Sequence, residues 1–120
     1  MTETINHPPH YGGGDNPYEC IKVIEAWGLG FCAGNAVKYI LRAGKKGNAR
    51  EDLEKALWYL TRVSNNNEPQ ILRMRSAVPP HRVAGAHEVM GGLYLVLIEI
   101  HNSEYAQAAD YLRTVLVELP

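Results

Sequence analysis

Cysteine is scarce in this chain. Cys20 and Cys32 are the only two, too few to staple a small secreted scaffold, so a fold must rest on an apolar core. Long apolar runs are also missing: the longest, Leu93–Ile98, falls far short of the ~20 residues of a membrane-spanning helix. No charged-then-apolar leader opens the sequence. Together these absences read as a cytoplasmic protein with reduced thiols and no membrane partner. No segment alternates apolar and polar residues long enough to make a strand. Charge of one sign is not in excess either. Twelve Lys and Arg against thirteen Asp and Glu leave a net charge of −1. The molecule as a whole does not attract polyanions, which disfavours nucleic acid as a partner, and any affinity for phosphate must come from a local patch.

What is present is helical signal, in a length of 120 residues that suits one domain with a modest core. Residues 1–15, with two prolines and three glycines, read as an arm. Asn16-Pro17-Tyr18-Glu19 reads as a helix start, with Asn16 as cap, Pro17 at the first helical position and Glu19 closing a capping box. That helix is expected to run to Trp27, burying Ile21, Ile24 and Trp27, and to stop at Gly28. A second helix is expected over about 32–43, with Gly44 as its left-handed terminator. Asn48-Ala49-Arg50-Glu51 opens a third, with Leu53, Leu57 and Leu60 as its core stripe and Ser64–Pro69 as its end. Residues 65–80 read as a connector. A fourth helix is expected from Pro80 or His81 to His101, and a fifth from Asn102 or Ser103 to the C-terminus. The expected fold is therefore all-α, about five helices, with a helical domain over 16–64 and a C-terminal hairpin over 81–120. The stretch GGLYLVLIEI is apolar almost all round, and such a helix calls for burial on every side. A chain this small cannot easily supply that alone, so self-association through the C-terminal hairpin is expected, with Gly91 and Gly92 allowing close helix approach.

Chemistry concentrates between residues 35 and 62. Asn35, Lys38, Arg42 and Lys45 are spaced to share one helical face, and Glu51, Lys55, Trp58 and Arg62 repeat the spacing on the next helix. If the two helices form a hairpin, a cationic cleft results. Lys38, Arg42, Lys45 and Lys46 can neutralise phosphates, Arg as a fork and Lys as a point charge. The plainer alternative is a solvated face paired to Glu51, Asp52 and Glu54. Trp58 and Tyr59 are adjacent and must point to different faces. One can join the core stripe, and the other can serve as a stacking platform for a base.

Other chemistries fit less well. His7 and His10, in the arm Asn6–Tyr11, have the residue type for an acid, a base or a phosphate donor. With Cys20 and Cys32 they offer four zinc ligands, but the cysteines stand twelve apart and Cys20 falls inside a helix, so no metal site is assigned. Glu51 and Glu54 form a helical acidic pair of the kind that binds magnesium, yet no second pair accompanies it. Magnesium therefore enters only as a companion of a bound nucleotide. Ala43–Gly47 follows a helix rather than a strand and lacks the Gly-Lys-Ser/Thr ending of a phosphate-binding P-loop.

Four spaced motifs, NHPPHY, YECIKVIEAWGLGF, GNAVKYILRAGKKG and EDLEKALWYLTR, closely resemble the SaV-like family of small bacteriophage proteins, a domain of unknown function. The resemblance covers roughly residues 6–63 and leaves 64–120 without a named motif. One podovirus member is described as a nucleotide kinase that lacks a P-loop. The resemblance thus implies a phage or prophage origin, action in the host cytoplasm, an all-helical domain, and phosphoryl transfer to deoxynucleoside monophosphates. His7, His10, Tyr11, Asn35, Lys38, Tyr39, Arg42, Lys45, Asp52, Lys55, Trp58 and Tyr59 fall on matched positions. Lys38, Arg42 and Lys45, with Lys46, would hold phosphates beside His7, Tyr11, Asn35 and Tyr39. Trp58 or Tyr59 would stack the base. His10 would contact the transferred phosphate, and Asp52 would orient Lys55 or His10. The alternative is a binding protein that sequesters a nucleotide signal of host immunity, or an interaction protein, without turnover.

Overall fold

A computed structural model describes residues 16–45, 47–66, 68 and 78–120. The arm over 1–15, Lys46, and most of the connector lie outside the described residues. The described residues form six helices and no strand: α1 Cys20–Ala26, α2 Phe31–Arg42, α3 Ala49–Asn66, α4 Pro80–His87, α5 Gly91–His101 and α6 Tyr105–Glu118. The all-helical expectation holds.

Two helical hairpins, α2–α3 and α5–α6, make the body, and α3 packs on α6. Helix α1 leans on α2, and α4 on α5. Leu53, Leu60, Leu93, Leu97, Ile100 and Leu112 fill the shared core, all without solvent exposure. A polar tie fixes how the hairpins meet. Arg50, in the first turn of α3, donates from Nη2 to the carbonyls of Leu116 (3.2 Å) and Leu119 (3.4 Å). Its cation thus sits at the C-terminal, electronegative end of α6, which sets α3 and α6 antiparallel.

The glycine stop signals work as expected. Gly28 takes φ 66°, with Gly28 N–H donating to the Glu25 carbonyl and Leu29 N–H to that of Ile24, a Schellman ending. Gly44 is also left-handed, at φ 82°. At the start of α3, Asn48 Oδ1 accepts from Glu51 N–H at 3.2 Å.

Four expectations need correction. The first helix begins at Cys20, not at Pro17. Asn16 and Pro17 are favoured in a β-turn as much as at a helix start. Here they make the turn: Asn16 Oδ1 accepts from Tyr18 N–H and the Asn16 carbonyl from Glu19 N–H. This rotates the helix so that Cys20, Val23 and Trp27 are buried and Ile21 is exposed. Second, the helix expected over 81–101 is two helices. Glu88 adopts the left-handed region (φ 51°) in a second Schellman ending, with Glu88 N–H on the Gly85 carbonyl and Val89 N–H on that of Ala84. Third, α3 ends at Asn66, within the expected Ser64–Pro69 stop, so the first two residues of the expected 65–80 connector are helical. Fourth, the two glycines of α5, a helix that buries Leu93, Val96, Leu97 and Ile100 and leaves Tyr94 and Leu95 exposed, do not both allow a close approach. Of the two glycines there, only Gly92 makes a close approach: a Cβ on it would lie 2.8 Å from Val115 Cγ2, whereas one on Gly91 would meet nothing within 4 Å.

Candidate functional site

The α2–α3 hairpin gathers the predicted residues around the ring of Tyr39. Lys38 Nζ lies 4.7 Å from its centroid, Lys55 Nζ 5.5 Å and Arg42 Cζ 5.9 Å. Tyr59 of α3 stacks on Tyr39 with centroids 6.1 Å apart and planes 14° apart. The spacing of α2 brings Lys38, Tyr39 and Arg42 to the face turned towards Lys55 and Tyr59 of α3. Aromatic quadrupoles hold these cations in place of carboxylates.

Only one acid enters the cluster. Asp52 is 2% exposed, and its Oδ1 lies 3.5 Å from Arg42 Nε, a loose contact. Its Oδ2 is buried without a hydrogen-bond partner among the described residues. Because Arg42 meets Asp52 through Nε, its two Nη groups remain available to a ligand. Lys38 and Lys55 have no carboxylate partner among the described residues. Three cations against one half-engaged carboxylate leave a local positive excess on a molecule whose net charge is −1. The plainer alternative, a face neutralised by Glu51, Asp52 and Glu54, is met only by the Asp52 contact.

Neither Trp58 nor Tyr59 belongs to the fully buried core. Tyr59 is half-buried, flanked by Tyr39, by Phe31 (centroids 6.0 Å) and by Trp58 (5.1 Å, planes 87° apart). Trp58 is 59% exposed, with the Arg62 guanidinium 5.8 Å from its ring. Trp58, Thr61, Arg62, Asn65 and Asn66 line a shallow concavity on the outer side of α3.

Asn35 donates from Nδ2 to the Phe31 carbonyl at 2.8 Å, within its own helix. Lys45 lies past the end of α2, so helical spacing no longer places it with Lys38 and Arg42. Partial desolvation lowers its pKa, opposed by Glu88, which sets it beside the end of α4. His7, His10, Tyr11 and Lys46 lie outside the described residues. No group of three or more metal-ligating side chains occurs among the described residues, and no helix among them is long and apolar enough to cross a membrane.

Sequence reasoning missed two supports of this hairpin. Glu68 caps α2 from 35 residues away: Oε2 accepts from Cys32 N–H (2.6 Å) and Oε1 from Ala33 N–H (2.9 Å). Trp27 Nε1 donates to the Val78 carbonyl at 2.7 Å, and its ring meets that of His101 edge-on at 5.0 Å. Burial and Glu68 push the Cys32 thiol pKa up, and burial takes that of Cys20 to about 11. Neither is set up as a nucleophile.

Residues 5–61 match a family described as a protein of unknown function, DUF3310. The cationic hairpin lies almost wholly within that segment. The gene 1.7 protein of Enterobacteria phage T3 is 45% identical over 64 residues, an alignment covering 46% of this chain and 38% of that relative. Residues 5–61 are therefore similar to a family without an assigned function, and just under half of the chain is similar to a phage protein, much of whose greater length has no counterpart in the match. Neither description names an activity. No solved structure matches the chain.

Proposed function

We propose that this phage-type protein binds a nucleotide on the α2–α3 hairpin. Lys38, Arg42 and Lys55 receive the phosphates, and the exposed ring of Trp58, three residues beyond Lys55 on α3, supports the base. The observation that carries this reading is the cluster of three cations held by the Tyr39 ring, with a single buried acid beside Arg42. Phosphate would supply the anions that the protein does not. The second reading is phosphoryl transfer to a deoxynucleoside monophosphate. It rests on Asp52, whose Oδ2, buried beside Arg42 and without a partner among the described residues, is the kind of acceptor that orients an attacking hydroxyl or a magnesium-bound water. His7, His10 and Tyr11 would complete the site from the arm. Action would be in the host cytoplasm, and the exposed Tyr94, Leu95 and Val117 offer a surface for a homo-oligomer, which light scattering would size.

Equilibrium titration with deoxynucleoside mono- and triphosphates tests binding. Lys38→Ala and Lys55→Ala should each weaken it roughly tenfold or more, because each removes a charge-assisted contact worth about 1.5–3 kcal/mol, and Arg42→Lys should weaken it by losing the bidentate fork while keeping the charge. Helicity should not change. Unchanged affinity in all three would reject the cleft. Anion-exchange chromatography of the same mixtures, with and without EDTA, separates transfer from sequestration: new diphosphate peaks mean transfer, and saturable binding without them means sequestration.

A further inference from the structure

The hairpin offers more aromatic surface than one nucleotide uses. Phe31 is 73% exposed and Trp58 59%, an unfavourable placement for two large rings in a chain with only one Phe and two Trp. Both meet Tyr59 edge-on, and the two ring contacts put their centroids within about 11 Å of each other. Four cations accompany them. Lys38, Arg42 and Lys55 surround Tyr39, and Arg62 lies over Trp58. Between the cations run rings whose faces accept any base. Beside Trp58, Thr61, Asn65 and Asn66 add a hydroxyl and two amides to the concavity, and amides match base edges.

We infer that this face binds single-stranded nucleic acid of two or more nucleotides, with bases on Phe31 and Trp58 and the backbone over the cations between them. The inference deepens the phosphate-binding reading of the Lys38–Arg42–Lys55 cluster and rests on it. Alternating stacking platforms and cations are what a non-specific single-strand site requires. The net charge of −1 is a sum over the whole surface and does not bear on it, because a Debye length of about 8 Å confines each field to its own face. Lys38, Arg42 and Lys55 meet a single carboxylate, that of Asp52 on Arg42, among the described residues. A nucleic-acid backbone answers them directly.

The test uses the full chain and a fluorescein-labelled oligothymidylate about eight nucleotides long, within the usual span of one such site. Anisotropy gives its affinity, and competition gives that of thymidine monophosphate. The oligonucleotide should bind at least tenfold more tightly than the mononucleotide. Its log K should fall with log salt at a slope of about −2, as for three phosphates on a single strand. Phe31→Ala and Trp58→Ala should each weaken the oligonucleotide at least about fivefold. Phe31→Ala should leave the monophosphate unchanged, since the proposed site for one nucleotide uses only the Trp58 ring. Trp58→Phe keeps a ring and should restore binding. Both rings are exposed, and circular dichroism would verify that these variants stay folded. Monophosphate binding with no gain from the oligonucleotide would overturn this inference and leave the proposed function standing. Failure of both ligands would reject both. An oligomer that dissociates in Phe31→Ala and Trp58→Ala, with no oligonucleotide bound, would assign the face to a second copy of the chain and overturn the inference.

Discussion

Glu68 and Gly30 form a latch whose energetics have a sign that can be tested. The Glu68 carboxylate satisfies two of the open N–H groups of α2, which no residue beside the helix start caps. Glu68→Ala should cost about 1–2 kcal/mol, the combined scale of a lost cap and of a lost charge at the positive end of the helix. That corresponds to roughly 3–8 °C in Tm for a domain of this size. Gly30 lies under that carboxylate. A Cβ there would fall 2.6 Å from Glu68 Cδ and 2.7 Å from Cγ, so Gly30→Ala must push the side chain off α2 and should cost about the same 1–2 kcal/mol. The backbone at Gly30, φ −81° and ψ −165°, suits an alanine. Once Glu68 is Ala, the obstacle is gone, and Gly30→Ala should become stabilising by about 0.4–1 kcal/mol through the unfolded state. The coupling between the two sites is then about 1.5–3 kcal/mol. Urea unfolding of the four proteins, followed by circular dichroism with the m-value checked for constancy, measures it. If Gly30→Ala costs the same in both backgrounds, Glu68 does not hold α2.

The half-buried His87 and the close-packed Gly92 give two more tests. Burial lowers the pKa of His87. Its contact with the Tyr18 carbonyl opposes this, and Lys45 adds to it. The unfolded chain therefore binds more protons than the folded one as pH falls from about 6.5 towards the lower folded value. This contribution to stability is present above about pH 6.5 and lost below it. His87→Gln should flatten the pH dependence of the urea midpoint between about pH 5 and 7.5, and an unchanged slope would remove His87 as its source. At the start of α5, Gly92→Ala should lower Tm, since the Val115 contact at 2.8 Å brings an overpacking cost of about 1–3 kcal/mol. Gly91→Ala, in open space, should leave Tm unchanged or raise it by up to the ~1 kcal/mol propensity gain. Equal shifts in the two variants would reject the close approach at Gly92.

The sequence alone determined the helical class, the stops at Gly28 and Gly44, the Asn48 cap, and the convergence of Lys38, Arg42 and Lys55 around an aromatic. The stops, the cap and each helical stripe arise from interactions within about four residues along the chain, and the hairpin only had to close for the two stripes to meet. Tertiary structure decided the rest. The ending at Glu88 uses the same hydrogen-bond pattern as that at Gly28, but a non-glycine residue carries it. Ser103 repeats the pattern once more, at φ 64°, with Glu104 N–H on the Glu99 carbonyl. No local signal marks Glu88 or Ser103, because the left-handed turn costs an L-residue about 1–2 kcal/mol and is held there by the packing of the residues after it. Val89 and Met90 after Glu88, and Tyr105 after Ser103, rest on the core. The cap from Glu68, the Trp27–Val78 bond and the displacement of Lys45 from its stripe are likewise invisible in a window of a few residues. Each depends on where the chain returns after a helix has ended. A sequence specifies its local turns directly and its long-range partners only through the single packing of the whole core.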